Sequence, residues 1–170
     1  MRQPRLQPMT RTVAVLTAMA VAGSAAVAQS VPPSVPPAKD TVFARKILMS
    51  TVAENMDELE TMLEPGARFE TAEAREHSNL ISVLLLAFPH MFPAATNQWK
   101  DGASRDAALD TYASPDVWTR FADFYARSTA ASQAALEASK AKTLKDFKAH
   151  IAELRTSCDG CHAAYMKLDK

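Results

Sequence analysis

Apolar side chains recur along this chain in four stretches spaced as helices space them. From Asp40 onward, Arg45, Met49, Val52, Met56, Leu59 and Leu63 follow at alternating intervals of four and three. That is the repeat of a helix packing one face into a bundle. Pro65-Gly66 sets its end near Glu64. A second helix is predicted from about Thr71 to Phe88, with His77, Leu80, Ile81, Leu84 and Leu85 on one side and Pro89 and Pro93 closing it. A polar stretch from Ala95 to Ala113 follows, long for a loop inside a domain. Ser114-Pro115-Asp116 reads as an N-cap with proline at the first helical position. The third helix it opens carries Trp118, Phe121, Tyr125, Ser128, Ser132 and Ala135 as its inner stripe. The fourth starts at Thr143, with Asp146 three residues on as a capping-box-like pair. Phe147, Ile151, Leu154, Cys158, Cys161 and Tyr165 continue it. Short connections make helices one and two, and three and four, antiparallel neighbours.

Composition agrees: four glycines in 170 residues, with abundant Ala, Leu, Met, Glu and Lys, favour helix over strand. The first 28 residues stand apart. Arg2, Arg5 and Arg11 form a basic region without acidic residues, and Thr12 to Ala28 is small and apolar, ending Ala26-Val27-Ala28. This is the form of a cleaved secretory signal, and the stretch is short and weakly apolar for a membrane span. The expectation is a periplasmic chain starting at Gln29, with no stable membrane insertion after cleavage. Residues 29–39 are a Pro-rich leader, polyproline-like over Ser30 to Pro37. One domain, residues 40–170, remains. Without the three signal arginines the balance is 16 basic to 19 acidic residues, a net charge of −3. That argues against nucleic acid and for partner proteins with a basic docking face.

The only two cysteines lie in Cys158-Asp159-Gly160-Cys161-His162. A C-x-x-C pair alone could be a redox dithiol, half a zinc site or a disulfide. A redox dithiol wants a βαβ context, and zinc wants four ligands, but His77, His90 and His150 have no partner spacing. C-x-x-C-H is the attachment signature of haem c, one per chain. Both thiols add to the same porphyrin, and the imidazole beside the second thioether is held at iron as the proximal axial ligand. Met166 is one turn past His162 on the same helix and cannot reach the opposite side. A second axial ligand must come from upstream.

With these residues the chain resembles the class II cytochromes c, the cytochrome c′ family with its low-spin, methionine-ligated relatives. The likeness runs from about Asp40 to Lys167. It rests on the haem motif followed by Tyr165, on Arg45-Lys46-Ile47-Leu48-Met49, on Met91-Phe92-Pro93, and on Pro115-Asp116-Val117-Trp118. The resemblance implies an all-α, antiparallel four-helix bundle holding haem c near one end, as a monomer or a homodimer. Cys158 and Cys161 would be the thioether residues, His162 the proximal ligand and Arg45 a partner of a haem propionate. Met49 would point at the distal face. Where the family has a basic residue directly after the aromatic, this chain has Met166, with Lys167 one place later.

Function turns on Met49. If its sulfur binds iron, the centre is six-coordinate and low-spin, and the protein carries single electrons. If it only packs, a diatomic gas such as nitric oxide can enter. The reach of a long unbranched side chain favours coordination. Trp118, Phe121 and Tyr125 are expected to wall the haem. His77, His90 and His150 read as surface histidines, and Lys140, Lys142, Lys145 and Lys148 as a solvated face. No nucleophile–base pair or carboxylate pair supports an enzyme.

Overall fold

Pro37, extended at ψ 141°, gives way to α1 (Ala38–Thr61), whose first turn carries Asp40 where the helix dipole favours an anion. The computed structural model describes residues 37–100 and 110–167. The signal segment and the leader up to residue 36 lie outside the described residues, as do residues 101–109 of the long polar loop. α1 buries Val42, Arg45, Val52, Met56 and Leu59, the expected stripe extended by one turn. Gly66, at φ +85°, takes the left-handed turn that leads into α2 (Thr71–Ala87).

α2 buries Ala74, Ser78, Ile81, Ser82 and Leu85. Its inner face is thus narrower and more polar than the Leu-based stripe suggested. Leu80 is exposed, and His77 and Leu84 are half-buried. The reason is α4: its Ser132 and Ser128 donate to the backbone carbonyls of Ser82 and Leu85, at 2.8 and 2.6 Å. Small side chains at the contact (Ala131, Ala135, Ala138) let the two helices approach closely enough for this.

Two 3₁₀ turns follow α2, Phe88–Met91 ahead of the expected loop and Ala94–Thr96 at its start. The third helix is broken. α3 (Asp116–Thr119) is one turn, Arg120 leaves helical geometry at φ −123°, ψ 40°, and α4 runs Phe121–Lys140. The break changes the phase, so Phe124 is buried while Phe121 and Tyr125 are exposed. Pro115, not Ser114, occupies the cap position, and the buried Ser114 hydroxyl has no partner in the structure.

α5 (Leu144–Tyr165) opens as expected: the Thr143 hydroxyl accepts from the Asp146 amide at 3.1 Å and donates to its carboxylate at 2.8 Å. Its far end is tied down. Ala113 and Met166 form an isolated antiparallel bridge; the Ser114 amide donates to Tyr165 O and the Lys167 amide to Tyr112 O.

The long helices α1, α2, α4 and α5 make an antiparallel four-helix bundle. Its interior has two apolar clusters. One, around Met56, Leu59, Ile81, Phe147, Ile151 and Leu154, fills most of the length. The other, Phe92, Val117, Phe124 and Tyr165, closes one end. Burial of these clusters is the main stabilising term. α2 packs on α1 and α4, and α4 on α5, but α1 and α5 share little backbone contact. None of the described helices is long and apolar enough to cross a membrane.

Candidate functional site

The space between α1 and α5 is an apolar cavity of about 280 Å³, lying where the two clusters meet. The helix period puts Cys158 and Cys161 on the same face of α5, one turn apart. Cys158 packs against the long cluster and Cys161 against the aromatic one, so the thiols straddle the seam. No disulfide joins the two sulfurs. Burial, the largest cause, pushes both thiols up, Cys161 to about 11. His162, exposed at its outer side, lines the same cavity. No three His, Cys, Asp or Glu among the described residues gather as metal ligands, which leaves the zinc alternative without a ligand set.

α1 contributes Arg45, Met49, Val52 and Met56 to the opposite wall. Met49 is half-buried at the edge of the long cluster, whereas Met56 is 3 % exposed within it. Arg45 is also 3 % exposed. Its Nη1 donates to Met91 O at 3.3 Å and Thr96 Oγ1 at 3.0 Å, and its Nη2 to Thr111 Oγ1 at 3.4 Å. The guanidinium lies 4.2 Å from the centre of the Phe92 ring. Every one of these partners is neutral, and burial pulls Arg45 down to about 10. A buried cation held by neutral groups at the rim of a cavity is a site for an anionic edge.

The aromatic wall differs from expectation. Phe88, Phe92, Phe124 and Tyr165 line the cavity, while Trp118, Phe121 and Tyr125 do not. Trp118 stands behind Phe92, its Nε1 donating to Phe92 O at 3.1 Å, and so fixes a wall residue without being one. His77 bonds Asn55 through Nδ1 at 2.7 Å, His90 packs edge-on to Tyr125, and His150 is 3.9 Å from Glu153; none lines the cavity. Thr96 and Thr111, which hold Arg45, sit in non-periodic sequence that gave no signal. Arg127 of α4 and Arg155 of α5 also line the cavity and were not singled out by the pattern.

Fold and site together define a helical-bundle protein built around a thiol-anchored planar group. A sequence model described as cytochrome c′ matches residues 40–166, and the chain belongs to that family. As a member it binds one covalently attached haem c per chain. Among solved structures, cytochrome c′ from Thermochromatium tepidum is similar at TM-score 0.68 and 16 % identity, covering 79 % of this chain and 100 % of that one. Cytochrome c prime from Shewanella frigidimarina matches at 0.67 and 22 %, with the same coverage. A nitric oxide complex of a mutant cytochrome c prime from Alcaligenes xylosoxidans matches at 0.67 and 18 %, again over 79 % and 100 %. At these identities the likeness is one of fold. Comparison with curated protein sequences returned no match. The residues present fit the group: two thiols one turn apart with an adjoining imidazole, an apolar cavity, and a buried guanidinium for an acidic edge.

Proposed function

We propose that this chain is an exported, periplasmic cytochrome that carries single electrons through a His/Met-ligated haem. The thiols of Cys158 and Cys161 each add across a vinyl group, sulfur to one carbon and hydrogen to the other, so nothing is lost. The His162 imidazole is the proximal ligand, the Met49 thioether the distal one, and Arg45 neutralises a propionate. When bound, the haem would supply a one-electron couple between redox partner proteins, a donor and an acceptor. The observation that carries the reading is that Met49 and His162 line one cavity from two different helices, α1 and α5, with Met49 only half-buried. A thioether at iron favours the reduced state and leaves no open position.

Export rests on the residue pattern of positions 1–28, and a net charge of −3 after cleavage suits a basic partner. The chain works as a monomer or homodimer. Phe43 and Ile47 of α1 and Val83 and Leu86 of α2 are exposed apolar groups available to a second copy. Gas binding at a five-coordinate iron is the competing reading, supported by the nitric oxide complex of the Alcaligenes protein of like fold.

Optical spectra of oxidised holoprotein separate the two. A Met-ligated haem c has a weak far-red band, which Met49→Ala should abolish while lowering the potential and admitting nitric oxide. A wild-type protein that lacks the band and binds nitric oxide readily would replace electron transfer with gas binding.

A further inference from the structure

Arg127 is not part of the haem motif, yet it reaches the site from α4. Its side chain lines the cavity together with Cys161 and His162. It also lines an outer groove formed with Ala130, Thr156, Ser157 and Gly160, so it stands as the wall between cavity and groove. A Cβ built on Gly160 would lie 3.8 Å from Arg127 Nη1, which puts the guanidinium across the Cys158–Cys161 turn. Two contacts hold it there. Arg127 Nε donates to Asp123 Oδ2 at 2.8 Å, and the Tyr165 hydroxyl donates to that same carboxylate oxygen. Asp123 itself does not line the cavity. The cation therefore faces the site, and its counter-charge stands behind it.

We infer that Arg127, oriented by Asp123 and Tyr165, is a potential-setting residue that keeps a fixed positive charge and a water-excluding wall against the thioether turn. A positive charge close to a redox centre disfavours its oxidised, more positive form. Solvent entering beside the centre favours that form. Loss of Arg127 removes the first effect and permits the second, and both lower the reduction potential. The inference rests on thioether attachment at Cys158 and Cys161, and it is independent of whether Met49 binds iron.

The test is the midpoint potential of holoprotein whose covalent haem has been verified by intact mass, in wild type, Arg127→Met and Arg127→Lys. Met keeps the volume and removes the charge; Lys keeps the charge and loses the planar fork. The expected result is a lower potential for Met and a smaller drop for Lys. The gap between Met and wild type should narrow as salt rises, because the Arg127 side chain is 44 % exposed. Should Arg127→Met fail to accumulate, Asp123→Asn is measured instead, and removal of the counter-charge should raise the potential. Haem-loaded Arg127→Met, or Asp123→Asn in its place, with the wild-type potential at low salt would overturn the inference alone. Chains that carry no haem at Cys158 and Cys161 would overturn the attachment reading as well.

Discussion

Arg155 of α5 places both Nε and Nη2 on one carboxylate oxygen of Glu60 in α1, at 2.8 and 2.6 Å. It links the two helices that the cavity otherwise holds apart. Both side chains are about 40 % exposed, so solvent screening keeps the pair at roughly 0.5 kcal/mol. Glu60→Gln is expected to lower the melting temperature slightly at low salt and not at all in high salt. A loss that persists in high salt would mean that packing, not charge, is what the pair supplies.

Arg45 is expected to behave in opposite ways with and without haem. With Arg45 paired to a propionate as proposed, Arg45→Met in holoprotein should cost about 3 kcal/mol, the scale for breaking a buried ion pair. In a Cys158→Ser, Cys161→Ser background the same change removes a buried charge with neutral partners. It should then be within ~1 kcal/mol of neutral, or stabilising. The pH sign follows. Burial lowers Arg45 in the folded state to about 10, well below the ordinary guanidinium value. The cost of the charged form is full below about 10 and is relieved as pH rises above it towards the ordinary guanidinium value. In the haem-free background, the stability of the Arg45 protein relative to Arg45→Met should therefore improve above pH 10. Denaturant titrations across that range read it directly.

Asp123 governs the acid limb. The Tyr165 hydroxyl first, and Arg127 second, hold its carboxyl below the ordinary carboxylate value. A depressed carboxylate stabilises above its unfolded pKa, about 4, and loses that contribution as pH falls through its lower folded value. Tyr165→Phe keeps the ring among Phe92, Val117 and Phe124 but removes the bond. Acid unfolding should begin at higher pH in this variant than in wild type. An unmoved acid midpoint would assign Asp123's depression to Arg127 alone.

Haem occupies space that the side chains do not fill. At about 24 cal/mol per Å³, a retained cavity of about 280 Å³ corresponds to roughly 7 kcal/mol, less whatever collapse and water entry recover. Cys158→Ser, Cys161→Ser protein is thus expected to melt far below holoprotein. Circular dichroism melting at the wild-type temperature would contradict this.

The parts of the fold legible in the sequence are those fixed by local chemistry. The Thr143 cap, the α1 stripe through Met56 and Leu59, and the Phe147–Ile151–Leu154 run follow from helix period and capping alone. The Arg120 break was not legible, because that residue leaves helical geometry without a glycine or proline to mark it. One residue out of phase was enough to exchange Phe124 for Phe121 and Tyr125 at the core. At the site, the thiols and imidazole stand in one motif on α5 and Met49 stands on the inner stripe of α1, so their shared cavity could be expected. The cage of Arg45 could not. Thr96 and Thr111 meet it only through tertiary folding, and no periodicity identifies a threonine whose task is to accept from a guanidinium.

The bridge between Ala113 and Met166 joins the chain three residues ahead of α3 to the residue after α5. Helices α3, α4 and α5 thereby form a closed ring of chain, fastened next to the segment whose Thr111 holds Arg45. A cofactor attached at Cys158 and Cys161 is therefore bonded within a loop of chain whose two ends meet at that bridge.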